Sequence, residues 1–249
     1  MPVKTRLDQA LVARGLCPSR EQAQRLILAG EVKVGTRVAA KPSEKISDDE
    51  EIELKEKPRF VSRGGLKLEG ALEGFGIDVT GFTCLDVGAS TGGFTDCLLQ
   101  SGAVRVHAFD VGTNQLVWKL RSDPRVQARE NFNCRHLIPT DVGEPVDIAV
   151  MDLSFISLLL VLPAVIPCLK PGGSVVCLIK PQFELSPDKI GRGGIVRGEA
   201  DRAAAVAKIR DWVETQPGLA WAGLLPSPIT GTDGNQEFLA WITTAPLFP

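Results

Sequence analysis

Apolar residues recur along this chain with two different periods, and the change of period marks out two modules. Leu7 and Leu11 lie one turn apart in a short segment, Arg6 to Arg14, that ends at Gly15; this predicts a helix. From Ser19 to Ala29 the helical pattern is stronger. Ala23, Leu26 and Ile27 make an apolar face, Ser19 and Gln22 form a capping box, and Gly30 ends the helix. The sequence VKVGTRV then predicts a hairpin and EIEL a further strand, with Arg14, Arg20, Arg25 and Lys33 left for the solvent side. The charged stretch KEKPRF follows as a link. The expected organisation is a small α+β domain over 1–55, a linker over 56–65 and a larger domain over 66–249.

In the larger part, strand and helix patterns alternate. FTCLDVGAS, VRVHAFDVG, VDIAVMDLS and GSVVCLIKP read as buried strands. FTDCLLQSG, NQLVWKLRSD and SLLLVLPAVIPCL read as the helices between them. Such alternation predicts a doubly wound, Rossmann-like α/β sheet with ligands at the carboxyl ends of its strands. LAWAGLLPSPI and NQEFLAWITT, on either side of TGTDGN, predict a terminal antiparallel hairpin.

Composition narrows the class. Hydrophobic content of 44% supports a sizeable core, and no apolar run approaches the ~18 residues of a membrane span. The start, MPVKTRLDQA, has no signal-peptide pattern, so a cytoplasmic protein without membrane association is expected. Six cysteines without CxxC spacing and only two histidines predict no metal site. Net charge is −2, but residues 1–43 carry eight Lys and Arg against three Asp and Glu. A basic module on an acidic body is the charge pattern of an RNA-binding appendage.

The stretch LDVGASTGGFTD is the clearest candidate for ligand chemistry. A dinucleotide turn needs G-x-G-x-x-G, and Ser90 stands in place of its second glycine; no Lys-Ser/Thr pair follows, so it is not a P-loop. Asp86 before the glycines suits a ligand with a cationic amino group better than a phosphate. Asp110, at the end of the next strand, is placed to accept bonds from ribose hydroxyls. S-adenosylmethionine combines both features. Its expected binding residues are Asp86, Gly88, Ala89, Ser90, Thr91, Gly92, Gly93, Asp110 and Val111. Asn131, with Asn133 beside it, and Asp152 are added at the pocket edge. Lys67, Asp152, Lys180 and Glu237 are the polar residues that an open sheet could gather at one site.

Two resemblances add to this reading. RLDQALVARGL, SREQAQRLILAGEVKVGTRV and KISDDEEIEL resemble the ribosomal protein S4-type RNA-binding domain, which implies Arg6, Arg20 and Arg25 as RNA contacts; Lys33 and Arg63 are added as basic candidates. SRGGLKL, LDVGASTGGFTD, DLSFISL, IKPQFE, GGIVR and SPITGTDGNQEF together resemble the TlyA/haemolysin-A-type ribosomal RNA 2′-O-methyltransferases, within the FtsJ-like group. The resemblance implies a class I S-adenosylmethionine methyltransferase sheet and a catalytic tetrad on Lys67, Asp152, Lys180 and Glu237. It implies methylation of a cytidine 2′-hydroxyl in ribosomal RNA or a ribosomal subunit. The short segment after the hairpin leans toward the large subunit, and a monomer is expected. A lysine acts as a base only where its charged form is disfavoured; Lys67 pushes Lys180 that way, Asp152 and Glu237 push against it, and base and orienting roles both stay open. A non-catalytic S-adenosylmethionine- and RNA-binding protein is the alternative, while a membrane-active protein, as the haemolysin name suggests, has no amphipathic cationic helix to support it.

Overall fold

The computed structural model describes residues 4–55 and 58–245. The chain divides into two compact units, Met1–Arg59 and Phe60–Pro249.

In the first unit, β1 (Lys4–Arg6) runs into α1 (Leu7–Ala13), followed by α2 (Arg20–Leu28), β2 (Val32–Val34), β3 (Arg37–Val38), β4 (Lys45–Ser47) and β5 (Ile52–Leu54). The predicted helices and hairpin are present, and the Ser19 side chain accepts the Gln22 N–H as the α2 cap. β1 pairs with β4, while β3, β2 and β5 form a separate antiparallel sheet. Leu7, Leu11, Ala23, Ile27, Val32 and Ile46 close the core between them.

The second unit opens with α3 (Gly64–Phe75), then β6 (Thr83–Val87), α4 (Gly93–Gln100), β7 (Arg105–Phe109), α5 (Trp118–Arg121) and β8 (Val126–Arg129). It continues through α6 (Pro139–Val142), β9 (Val146–Met151), α7 (Leu162–Val165), β10 (Leu169–Ile179), α8 (Pro181–Glu184) and α9 (Glu199–Thr215). The hairpin β11 (Leu219–Pro226) and β12 (Phe238–Thr244) ends it. The seven strands lie in the order β11-β12-β10-β9-β6-β7-β8. β6 to β10 are parallel to one another, and β12 is antiparallel to both β10 and β11. Strand alternation supplies two cores. Cys84, Ile148, Val150, Val176 and Leu178 face α3 and α4, whereas Leu85, Val87, Ala149, Cys177 and Ile179 face the α7 and α9 side. The chain reverses direction across the sheet at β6, which sends β7 to one side and β9 to the other. The carboxyl ends flanking that point are where an open sheet binds ligands.

Two expected helices are shorter than their patterns. NQLVWKLRSD is helical only over Trp118–Arg121, because the N–H groups of Asn114, Gln115 and Leu116 all bond to the Glu130 carboxylate instead. SLLLVLPAVIPCL breaks into a 3₁₀ turn, α7 and another 3₁₀ turn, since Pro163 and Pro167 cannot donate to a helical ladder. Helices α3 and α9 lie outside the elements that the pattern predicted.

Candidate active site

Four polar side chains that are far apart in sequence converge at the carboxyl end of the sheet. Lys67 lies in α3, on a face that continues through Gly70 and Gly74. A Cβ at Gly70 would stand 2.9 Å from Pro228 and one at Gly74 2.4 Å from Leu225, so these glycines let α3 lie directly against the end of β11 and the start of the arm that leads to β12. That approach brings Lys67 Nζ to 2.6 Å from Glu237 Oε2. On the other side of the carboxylate, a Cβ at Gly231 would meet Glu237 Oε1 at 2.6 Å, so bare backbone packs there.

Asp152 leaves the end of β9 and Lys180 the end of the neighbouring β10. Lys180 Nζ is 2.7 Å from Asp152 Oδ1 and donates to Ser154 Oγ at 2.9 Å. Asp152 Oδ2 in turn lies 3.9 Å from Lys67 Nζ. The result is a row of alternating charge, Glu237, Lys67, Asp152, Lys180, in which only Asp152 is more than marginally exposed. Buried charges of this kind persist only when paired.

The row opens into a cleft of about 470 Å³ that is lined by Lys67, Asp152 and Lys180, by Ser62, Arg63 and Gly64, by Gly88–Thr91 and Gly93, and by Thr230 and Thr232. Arg63 spans this cleft's rim by donating to the Thr230 carbonyl at 2.9 Å. A second cleft of about 410 Å³ shares Gly88, Ser90, Asp152 and Ser154 with the first. Its walls are mostly apolar, from Phe132, Leu153, Ile156 and Val161, with Asp110, Val111, Asn133 and Arg135 at the edge. Asp110 accepts the Ser90 N–H at 2.7 Å and the Gly112 N–H at 2.6 Å, which fixes its carboxylate while leaving a lone pair on each oxygen. Gly88, at φ 86°, forms the floor where the clefts meet; a Cβ there would meet Leu153 at 2.8 Å and the Asp152 carbonyl at 2.9 Å.

The wall carrying Asp152 is held from below. Glu184, buried, accepts the Ser157 hydroxyl at 2.5 Å and the Leu158 N–H at 2.7 Å, and Lys208 of α9 reaches its carbonyl at 2.6 Å. Above it Phe155 adopts φ 64°, unusual for a bulky residue; the residue is 91% exposed, with its ring centroid 5.1 Å from that of Phe183. The sequence pattern does not single out Ser154, Phe155, Thr230, Thr232 or Arg135; only their nearness to DLSF, TGTDGN and ENFNCR would have flagged them.

Three of the expected ligand residues line neither cleft. Asp86 shares the sheet face of Cys84, beneath α4, and is fully buried; its Oδ2 accepts the Thr95 hydroxyl at 2.6 Å and its Oδ1 has no partner. Burial pushes this carboxyl up to about 7, opposed by the Thr95 hydroxyl and reinforced by Asp152 and Asp110. The direct contact to a cationic amino group expected of Asp86 is therefore not available at the cleft wall. Gly92 lies against the core, where a Cβ would meet Leu120 at 2.3 Å. Asn131 is turned away in a left-handed turn at φ 56°, while its neighbour Asn133 lines the cleft and caps a 3₁₀ turn.

In the first unit, Arg6 and Arg20 are committed to an internal partner. Asp8, fully buried, accepts two bonds from Arg6 at 3.0 Å, one from Arg20 at 2.8 Å and one from Gln24 at 3.0 Å. Arg25 and Lys33 are exposed.

The model of the FtsJ-like methyltransferase family matches residues 60–244 and that of the S4 domain residues 5–52. The chain is 45% identical over 248 residues to the 16S/23S rRNA (cytidine-2′-O)-methyltransferase TlyA of Mycobacterium tuberculosis, spanning 98% of this chain and 91% of that one. It is 43% identical to Hemolysin A of Brachyspira hyodysenteriae, over 94% of this chain and 98% of that one. A solved structure described as "Putative hemolysin from Streptococcus thermophilus" superposes with a TM-score of 0.74 at 47% identity, covering 98% of this chain and 90% of that one. Among the described residues, no helix is long and apolar enough to cross a membrane.

Proposed function

The chain belongs to the FtsJ-like methyltransferases, in the TlyA group that carries an S4 domain, and we propose that it transfers a methyl group from S-adenosylmethionine to the ribose 2′-hydroxyl of a cytidine in ribosomal RNA. The observation that carries this reading is the convergence of Lys67, Asp152, Lys180 and Glu237 in one charged row, three of whose members line the first cleft.

The residues present suit the methyl donor. The apolar second cleft suits an adenine, and the open lone pairs of Asp110 suit ribose hydroxyls. The side-chain-free floor at Gly88, with Ala89–Thr91 and Gly93 beside it, suits a methionine chain lying on the backbone. S-adenosylmethionine, when bound, supplies an electrophilic methyl on a sulfonium.

The chain's own contribution is alignment and charge. Methyl transfer is an in-line displacement, so fixing the attacking oxygen supplies much of the rate. Lys180 donates to Ser154 and is ion-paired with Asp152, and with three N–H groups its ammonium keeps a donor for the 2′-oxygen. This ion-paired setting favours Lys180 as a charged donor that orients the lone pair, with the proton leaving to water as the new C–O bond forms. Lys67 and Glu237 brace Asp152 from behind.

Incubation of the protein with tritiated S-adenosylmethionine and ribosomal subunits tests this. The expected result is label on a cytidine 2′-oxygen, chiefly in the large subunit. Label on a base, or no label on either subunit, excludes the reading.

A further inference from the structure

The arginines of the second unit fall into two groups. Most are engaged: Arg105 with Glu144, Arg121 with Glu130, Arg129 with Asp141, and Arg202 with main-chain carbonyls. Among the described residues of this unit, three arginine side chains have no carboxylate or carbonyl partner: Arg135, Arg192 and Arg197, all exposed. Arg135 edges the second cleft. Arg192 and Arg197 belong to GRGGIVR, which the catalytic row does not use.

That segment is exposed but held. Gly191 and Ile195 are joined by a main-chain bond of 3.1 Å, and Gly194 donates to the Gly191 carbonyl at 3.0 Å. Asn235, 1% exposed, clamps it with both ends of its amide: Nδ2 donates to the Gly194 carbonyl and Oδ1 accepts the Val196 N–H, each at 2.9 Å. Arg202 of α9 donates to the carbonyls of Val196 and Arg197. The same Asn235 accepts the Gly231 N–H through its own carbonyl. The loop is thus one side chain away from the turn whose Thr230 and Thr232 line the first cleft and whose Glu237 completes the charged row. Nearby Lys189 is occupied by Asp201 at 3.6 Å, which leaves Arg192 and Arg197 as the loop's free cations.

We propose that the loop 191–197 is an RNA-backbone contact of the catalytic unit, in which Arg192 and Arg197 bind phosphates beside the target nucleotide and Asn235 fixes them relative to the tetrad. A free guanidinium can turn its fork to a phosphate without first breaking an internal pair. Glycines on either side of Arg192 keep the loop surface bare for close approach of a sugar-phosphate chain. The proposal rests on ribosomal RNA being the substrate.

The test measures binding of purified ribosomal subunits by the wild type and by Arg192→Gln/Arg197→Gln across a salt series, alongside methyl transfer. Loss of two phosphate contacts lowers the slope of log affinity against log salt by about 1.4–1.8 and weakens binding about fivefold per arginine. Affinity for S-adenosylmethionine stays at the wild-type value, and Arg192→Lys/Arg197→Lys restores the slope. Methyl transfer by the wild type, with the Gln variant matching it in affinity and slope, overturns the loop's role and leaves the proposed function standing. Binding that depends on the two arginines, without any methyl transfer, removes the function and with it the placement of the two arginines beside a target nucleotide. A wild type that binds no subunit overturns both.

Discussion

Lys67 and Glu237 are 170 residues apart in sequence and 2.6 Å apart in space, both almost entirely buried. Removing one member leaves the other as an uncompensated buried charge, which costs about 3–5 kcal/mol. Lys67→Met is expected to lose stability on that scale and to abolish methyl transfer. Lys67→Met/Glu237→Gln should recover most of the stability and none of the activity. Urea denaturation and single-turnover transfer separate the two effects; a double variant as unstable as the single one would mean that the pair is not an independent unit.

Lys180 is expected to act on the reaction and not on donor binding. Its side chain lines the first cleft, next to Asp152 and Ser154, which both clefts share. Lys180→Met should lower single-turnover methyl transfer by about 10²–10⁴-fold, the range for a positioned group acting on a proton-bearing nucleophile. Calorimetric affinity for S-adenosylmethionine should change less than about threefold. Unreduced transfer would remove Lys180 from both the orienting and the base role.

What could be read from the sequence was what depends on local pattern. VDIAVM announces a strand buried on both faces, and the capped segment Ser19–Ala29 announces a helix; both are there. Helix α3 was hidden because GGLKLEGALEGF carries four glycines, normally a sign of a loop. For Gly70 and Gly74 the reason lies elsewhere in the chain, in Pro228 and Leu225, which need the space, and for Gly65 in the Phe60 side chain. The late start of the helix in NQLVWKLRSD likewise depends on Glu130, which no local period reveals. Helix α9 is different: Ala205, Ile209 and Val213, four residues apart and buried, do carry a legible helical stripe. At the site, Asp110, Lys67, Asp152 and Lys180 line the clefts and Glu237 lies buried behind Lys67, but only motif resemblance tied Lys67, Asp152, Lys180 and Glu237 together. The inward turn of Asp86 follows from its sharing a strand face with Cys84, a strand alternation that the glycine-rich loop beside it obscured.

Asp86 should make folding pH-dependent in an unusual direction for a carboxylate. Its carboxyl is raised by burial to about 7, so between about pH 4 and pH 7 the folded protein keeps a proton that the unfolded chain has released. Stability therefore falls as pH rises through that window; the cost is absent below it and complete above it, on the order of a few kcal/mol. Asp86→Asn keeps the acceptor for Thr95 and removes the titration. Relative to the wild type, the variant should gain stability between pH 5 and pH 8 in denaturant unfolding. An equal difference at both pH values would show that Asp86 is not the titrating group.

Asp8 separates internally paired arginines from exposed ones in the first unit. Hydrogen bonding from Arg6, and then from Gln24 and Arg20, holds its carboxyl well below the usual range against the opposing effect of burial. The stability it contributes is therefore present above about pH 4 and is lost as pH falls through the folded value. Arg20 spends its Nε on this carboxylate, whereas the side chain of Arg25, one helix turn on, is exposed and makes no such bond. Arg20→Gln is expected to destabilise the unit by about 1 kcal/mol, the upper end for a half-exposed partner. Arg25→Gln should leave the thermal midpoint unchanged and lower the salt slope of ribosomal RNA binding by about 0.7–0.9, the value for one phosphate contact. Melting curves and binding across a salt series read the two effects independently. An unchanged slope for Arg25→Gln would take that arginine out of the RNA interface. A slope change for Arg20→Gln without loss of stability would mean that its bond to Asp8 yields when RNA arrives.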